Sequence, residues 1–144
     1  QKINAHFSGL VVRKDLVKGK PGYVAHEGAT LADAVSWIRQ AGGIAVIAHP
    51  GRYEIGRMLM EQLVEDFKAV GGEAIEVVSA SHTLDQSHKF ALLAARMELL
   101  ASAGSDFHAP GEGGRDVGLT ANLPPICVPV WSRFSPPRAT PSAD

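Results

Sequence analysis

From Thr30 onward the chain alternates between two kinds of text, and this alternation limits the folds open to it more than any other feature. Leu31, Ala34, Val35, Ile38 and Ala41 recur at helical spacing, and Gly42-Gly43 supplies a stop. A short run follows, Ile44-Ala45-Val46-Ile47-Ala48, apolar on both faces. Such a run suits a strand covered on both sides, as in a parallel sheet. The unit then repeats. Met60, Leu63, Val64, Phe67 and Val70 mark a second helix that stops at Gly71-Gly72, before a strand at 74–78. Thr83 and Gln86 form a possible capping box for a third helix, with Phe90, Leu93 and Ala94 as its apolar stripe. A third strand is expected at about Glu98–Ala103. Helices and strands in this order, joined by short glycine-rich links, imply an α/β fold with parallel strands and crossover helices.

Composition narrows the functions. The chain has 144 residues, enough for one domain with a core, and is 45% hydrophobic and 20% charged. With 14 basic and 15 acidic residues the net charge is -1. That balance excludes a grip on long duplex nucleic acid but leaves room for a small anionic substrate, which needs only a few local cations. The single cysteine, Cys127, allows no internal disulfide, suits a reducing compartment, and reads as a small buried hydrophobe. No apolar run approaches the roughly 20 residues that span a bilayer. The first residues, QKINAHFSGL, lack a signal-peptide pattern, so a cytoplasmic location is expected. Because the chain opens on Gln1, it is expected to be a processed product or a piece of a longer protein. Residues 1–29 read as an irregular or inserted segment, 30–134 as the folded domain, and 135–144 as a flexible tail.

In parallel β/α proteins the working residues lie at the C-terminal ends of strands. The polar residues here follow that rule: His49 ends the first strand, Ser79, Ser81 and His82 follow the second, and Asp106 and His108 follow the third. In an extended Asp106-x-His108 segment both side chains point the same way, so a carboxylate and an imidazole can approach one ion or two adjacent ones. That donor set suits Zn²⁺, Mn²⁺ or Fe²⁺. Pro50 stiffens the exit behind His49, and Arg52 can offer a planar fork of donors to a phosphate. His82 precedes a helix, where anions are favoured, and Arg115 is a second candidate anion contact. Glu76, inside a strand, either points into the barrel or pairs with a basic group. His6, His26 and His88 read as surface residues, and Trp37 and Trp131 as packing residues.

These segments match a known family. AGGIAVIAHPGRY, IEVVSASHT, and SAGSDFH followed by GGRDVG resemble the PHP (polymerase and histidinol phosphatase) superfamily, with KGKPGYV and LPPICVPVW in support. The chain looks like the branch of nucleoside 3′,5′-bisphosphate phosphatases and a 5′–3′ exoribonuclease. The likeness runs over roughly residues 18–134 and implies the C-terminal part of a distorted (β/α)₇ TIM-like barrel. It implies up to three divalent ions, often Mn²⁺, with His49, Asp106 and His108 as metal ligands. It implies Arg52 and His82 as catalytic phosphate contacts, to which Ser81 and Arg115 are added as substrate contacts. Substrates would be nucleotides or short RNA 5′ ends. Family members are nearly twice as long and open on an HxH motif. This chain has none; His6 stands alone in Asn4-Ala5-His6-Phe7. The alternative expectation is therefore an inactive truncated fragment that folds, or oligomerises through an exposed sheet edge, without catalysis.

Overall fold

The structure, a computed structural model, describes residues 28–110 and 116–134. Expectations placed on residues 1–27, on Arg115 within 111–115, and on 135–144 lie outside the described residues. Helices and strands alternate as α1 (Leu31–Gln40), β1 (Val46–Ile47), α2 (Arg57–Ala69), β2 (Ala74–Val78), α3 (Leu84–Arg96) and β3 (Leu100–Ala103). Two 3₁₀ turns, Pro50–Arg52 and Val130–Arg133, follow β1 and β3 respectively.

The strands form one sheet in the order β1-β2-β3. Both pairings are parallel: Val46 lies opposite Ala74 and Ile47 opposite Ile75, while Ala74 faces Leu100 and Glu76 faces Ser102. Beyond β3, Ala101 forms an isolated parallel bridge with Pro129 and donates its N–H to the Val128 carbonyl at 2.8 Å, just before the second 3₁₀ turn. All five residues of β2 are buried, whereas the run at 44–48, expected to be covered on both faces, yields a β1 of two residues with Val46 exposed and Ile47 buried, because β1 is the edge strand of the described sheet. The core gathers Val64 and Phe67 from α2, Phe90, Leu93 and Ala94 from α3, and Ile75, Val77 and Ala101 from the sheet. Cys127 packs against its edge, and burial raises its thiol pKa.

Helix ends show how local sequence sets this geometry. Gly42 and Gly71 both take left-handed φ values, +78° and +96°. After each, the next residue's N–H closes onto a carbonyl five residues back, Gly43 to Ile38 at 2.9 Å and Gly72 to Phe67 at 2.8 Å. This is the Schellman closure, and glycine adopts it without a Cβ penalty. α3 ends in the same way without a glycine. Glu98 takes φ +54° and Leu99 N–H reaches the Ala94 carbonyl at 2.9 Å. Glu98 is thus a helix stop, and β3 begins at Leu100 rather than at Glu98. The capping box of α3 is present: Gln86 N–H donates to Thr83 Oγ1 at 3.2 Å, and Thr83 N–H to Gln86 Oε1 at 2.8 Å.

Two packing expectations are corrected. Trp37 is 61% exposed and Trp131 51% exposed, so neither is a core residue among the described residues. The stripe of α1 is likewise mostly open, with Val35 its buried member while Leu31 and Ile38 remain exposed. The described elements place no further layer over those faces. His88 is exposed, as expected. None of the helices among the described residues is long and apolar enough to cross a membrane.

Ile75 has no exposed surface, and Thr83 anchors the α3 cap. Ile75→Val should cost about 1 kcal/mol and Thr83→Ala also about 1 kcal/mol. Urea unfolding should show both as lowered midpoints with unchanged slopes.

Candidate active site

The three strands run in one direction, so their C-terminal ends share a rim. Its centre is Glu76, a largely buried carboxylate in an otherwise apolar strand. Glu76 Oε2 accepts the backbone N–H of His49, at the end of β1. Its Oε1 lies against Gly104, just past β3: a Cβ built there would stand 2.8 Å from it. A carboxylate from the middle of β2 thus reaches the residues that follow β1 and β3. No Lys or Arg among the described residues pairs with it, so the reading of Glu76 as a partner of a basic group is replaced by a bond to backbone. The signal was present in the sequence, as the one charge in Ala74-Ile75-Glu76-Val77-Val78. Burying a charge in a strand needs compensation, and that need points to a site.

His49 adopts a left-handed backbone with φ 32°, and Asp106 does the same with φ 51°. Non-glycine residues pay roughly 1–2 kcal/mol for that conformation, and such strain gathers at functional positions. The His49 Nδ1 atom is buried and has no hydrogen-bond partner. Its ring meets Tyr53 edge-on at 6.2 Å between centroids, and Tyr53 Oη donates to the Ala48 carbonyl at 2.9 Å. Burial first, and the charge of Glu76 second, raise the Tyr53 pKa above its ordinary value.

Across the rim, Arg52 Nη1 pairs with Asp106 Oδ2 at 3.1 Å, joining the loop after β1 to the loop after β3. Arg52 is 56% exposed and Asp106 19%, so this pair adds little stability, and its value lies in placing the guanidinium on the rim. His108 Nδ1 lies 2.8 Å from the Asp106 carbonyl. A carbonyl only accepts, so the ring donates from Nδ1 and leaves Nε2 free, the arrangement common to metal-binding imidazoles.

His82 is placed differently. Its Nδ1 donates to the Val77 carbonyl and its Nε2 accepts the Gly51 N–H, each at 3.0 Å. Both ring nitrogens are therefore bound to backbone, and neither is turned to a ligand. Ser81 is exposed, and its hydroxyl lies 3.3 Å from that of Ser79. A cleft of about 670 Å³ between α2 and α3 shares Pro50 and Gly51 with the site loop but includes none of His49, Arg52, Asp106 or His108.

Imidazole and carboxylate donors at strand ends, a buried unpartnered nitrogen on His49 and a free Nε2 on His108 all fit a divalent cation. The fit is partial. Among the described residues no three of His, Cys, Asp and Glu gather closely enough to hold an ion, so His49, Asp106 and His108 do not converge into one pocket here. Asp106 meets Arg52, and His108 folds back on its own loop.

The site's composition defines a parallel β/α protein with polar chemistry at its strand ends, and comparison with known proteins places it further. No family model matches the chain. It is 67% identical over 121 residues to the 3′,5′-nucleoside bisphosphate phosphatase of Chromobacterium violaceum, covering 84% of this chain and 42% of that one. It is 38% identical to the 5′–3′ exoribonuclease of Haemophilus influenzae, over 88% of this chain and 46% of that one. The 5′–3′ exoribonuclease of Escherichia coli is 37% identical over 90% of this chain and 44% of its own length. A solved structure from Chromobacterium violaceum, described as an amidohydrolase with bound sulfate and no metal, superposes with a TM-score of 0.74 and 63% identity, over 86% of this chain and 43% of that one. A metal-dependent phosphoesterase structure from Bifidobacterium adolescentis superposes with a TM-score of 0.59 at 20% identity, over 87% of this chain and 46% of that one, a likeness of fold alone. Over most of its length the chain is therefore similar to part of these phosphatases and exoribonucleases, and it shares their parallel α/β architecture. It spans less than half the length of these relatives.

Since folding raises the Tyr53 pKa, the neutral phenol favours the native state. That contribution is complete below the ordinary tyrosine value, about 10, and is lost as pH rises through the raised one. In urea midpoints measured across the alkaline range, Tyr53→Phe should flatten the decline seen in the parent.

Proposed function

We propose that this chain forms part of a metal-dependent phosphoesterase that hydrolyses phosphate esters of nucleotides or short RNA 5′ ends. The observation that carries this reading is the rim itself: a guanidinium and a set of imidazole and carboxylate donors from separate strand ends. The relatives support it, since two of them are named for nucleoside bisphosphate phosphatase and exoribonuclease activity.

In this reading His49, Asp106 and His108 contribute to holding divalent ions, with Mn²⁺ favoured over Zn²⁺ or Fe²⁺, and the remaining ligands come from outside the described residues. Bound there, such ions supply Lewis-acid polarisation of the phosphoryl oxygens. Arg52 supplies what this chain can offer directly. Its planar fork binds two phosphoryl oxygens and holds the group in place while negative charge builds. Glu76 keeps the loop after β1 against the sheet, so His49 and Arg52 are presented together. Ser81 and Arg115 are further contacts for the same anion. The near-neutral charge balance matches a small phosphorylated substrate rather than long duplex nucleic acid, and a cytoplasmic setting suits such a substrate.

The test uses the complete protein with a nucleoside 3′,5′-bisphosphate. Arg52→Ala should lower kcat/KM about 100-fold or more, as loss of a donor to developing charge does elsewhere. A chelator should abolish turnover and added Mn²⁺ restore it. Full activity in Arg52→Ala, or activity indifferent to the chelator, would refute the reading.

A further inference from the structure

The peptide groups flanking Gly51 are gripped on both polar atoms of that residue by one short segment from a different strand end. Its N–H donates to His82 Nε2 at 3.0 Å, and its carbonyl accepts from Gln86 Nε2 at 3.1 Å. Both partners are themselves fixed. The His82 ring is anchored through Nδ1 to the Val77 carbonyl and rests on the buried ring of Phe90 at 5.1 Å. Gln86 is held by its capping-box bonds with Thr83. The fit is close enough to require glycine: a Cβ on residue 51 would lie 2.6 Å from His82 Cδ2 and 3.1 Å from Gln86 Cδ.

Gly51 stands between His49, whose backbone is left-handed, and Arg52, whose guanidinium reaches Asp106. The 3₁₀ turn that carries them is closed by Arg52 N–H to the His49 carbonyl at 3.0 Å and Tyr53 N–H to the Pro50 carbonyl at 3.1 Å. A turn of this length has few bonds of its own, so its orientation depends on outside anchors. Glu76 holds it at His49, and the Gly51 grip holds it next to Arg52.

We propose that Gln86 is a positioning residue for phosphoester hydrolysis: through the Gly51 carbonyl it fixes the turn from which Arg52 addresses the phosphoryl group. The proposal rests on the phosphoesterase reading and adds a residue that touches neither metal nor substrate. Its amide has two separable duties. Oε1 accepts in the helix cap, and Nε2 donates to Gly51. Gln86→Glu keeps an acceptor for the cap and removes the donor, whereas Thr83→Ala weakens the cap and leaves the Gly51 bond in place.

In the complete protein, Gln86→Glu should lower kcat on a nucleoside 3′,5′-bisphosphate about 10- to 100-fold, the loss expected from slight misplacement of a catalytic group. KM should stay within about twofold, and the thermal midpoint should be no lower than that of Thr83→Ala. In an Arg52→Ala background the same change should cost nothing further, because Gln86 acts through Arg52. Amide hydrogen exchange at Gly51, Arg52 and Tyr53 should quicken while the amides within α3 keep their protection. Gly51→Ala, which pushes the same peptide off both His82 and Gln86, should reproduce the loss of kcat, with Thr83→Ala as the control for any loosening of the cap, and it keeps the proposal testable should Gln86→Glu fold poorly. Unchanged exchange across the turn overturns the proposal, as does an unchanged kcat or an effect that adds to Arg52→Ala. A parent protein that hydrolyses no phosphate ester would instead defeat the phosphoesterase reading, with the exchange measurement still deciding whether the grip exists.

Discussion

The carboxylate of Glu76 is the point on which the rim is organised. A charge in the middle of a fully buried parallel strand is costly unless something accepts it. Here the acceptance comes from the His49 N–H at the end of β1 and from the close approach that Gly104 permits after β3. A hydrogen bond to a charged group is worth about 1.5–3 kcal/mol, comparable to the cost of holding His49 in a left-handed conformation. The buried charge and the strained loop are therefore coupled. Each makes the other tenable, and together they turn three strand ends into one surface.

From that coupling the chemistry follows in steps. Parallel strands place their C-terminal ends on one side, short apolar runs keep β2 in the middle, and glycine stops bring each helix back in register with the next strand. The loops that emerge carry Arg52 to Asp106, and the bond between them spans the rim from the first loop to the third. The chain matches one part of its longer relatives, with exposed apolar faces on α1 and near Trp131, and among the described residues no three His, Cys, Asp or Glu side chains gather closely enough to hold an ion. Both features agree with a chain that covers less than half of its relatives' length.

Much of this was legible in the sequence because its signals are local. The paired glycines at 42–43 and 71–72 and the Thr83–Gln86 box each encode their own geometry within a few residues. Where no such marker exists the sequence misleads: Glu98 closes α3 in a left-handed conformation usually left to glycine, so the residue types at 98–103 suggest a strand two residues too early. Long-range partners were harder still. Nothing in the text of His82 says that both ring nitrogens face backbone, and nothing in Gln86 beyond its cap says that its amide reaches Gly51, thirty-five residues away in sequence. Glu76 was visible as an anomaly, but its partner was an amide on another strand rather than a basic side chain. Residue type alone suggests that the two tryptophans pack, and type cannot tell whether another layer will cover them.

The central claim is that the rim belongs to a divalent-metal site. Anomalous diffraction at the manganese edge, on crystals of the complete protein grown with Mn²⁺, tests it most directly. The account predicts a strong peak bonded to the imidazoles of His49 or His108 and to the carboxylate of Asp106. Manganese bound only elsewhere, with none of those three side chains among its ligands, would contradict it.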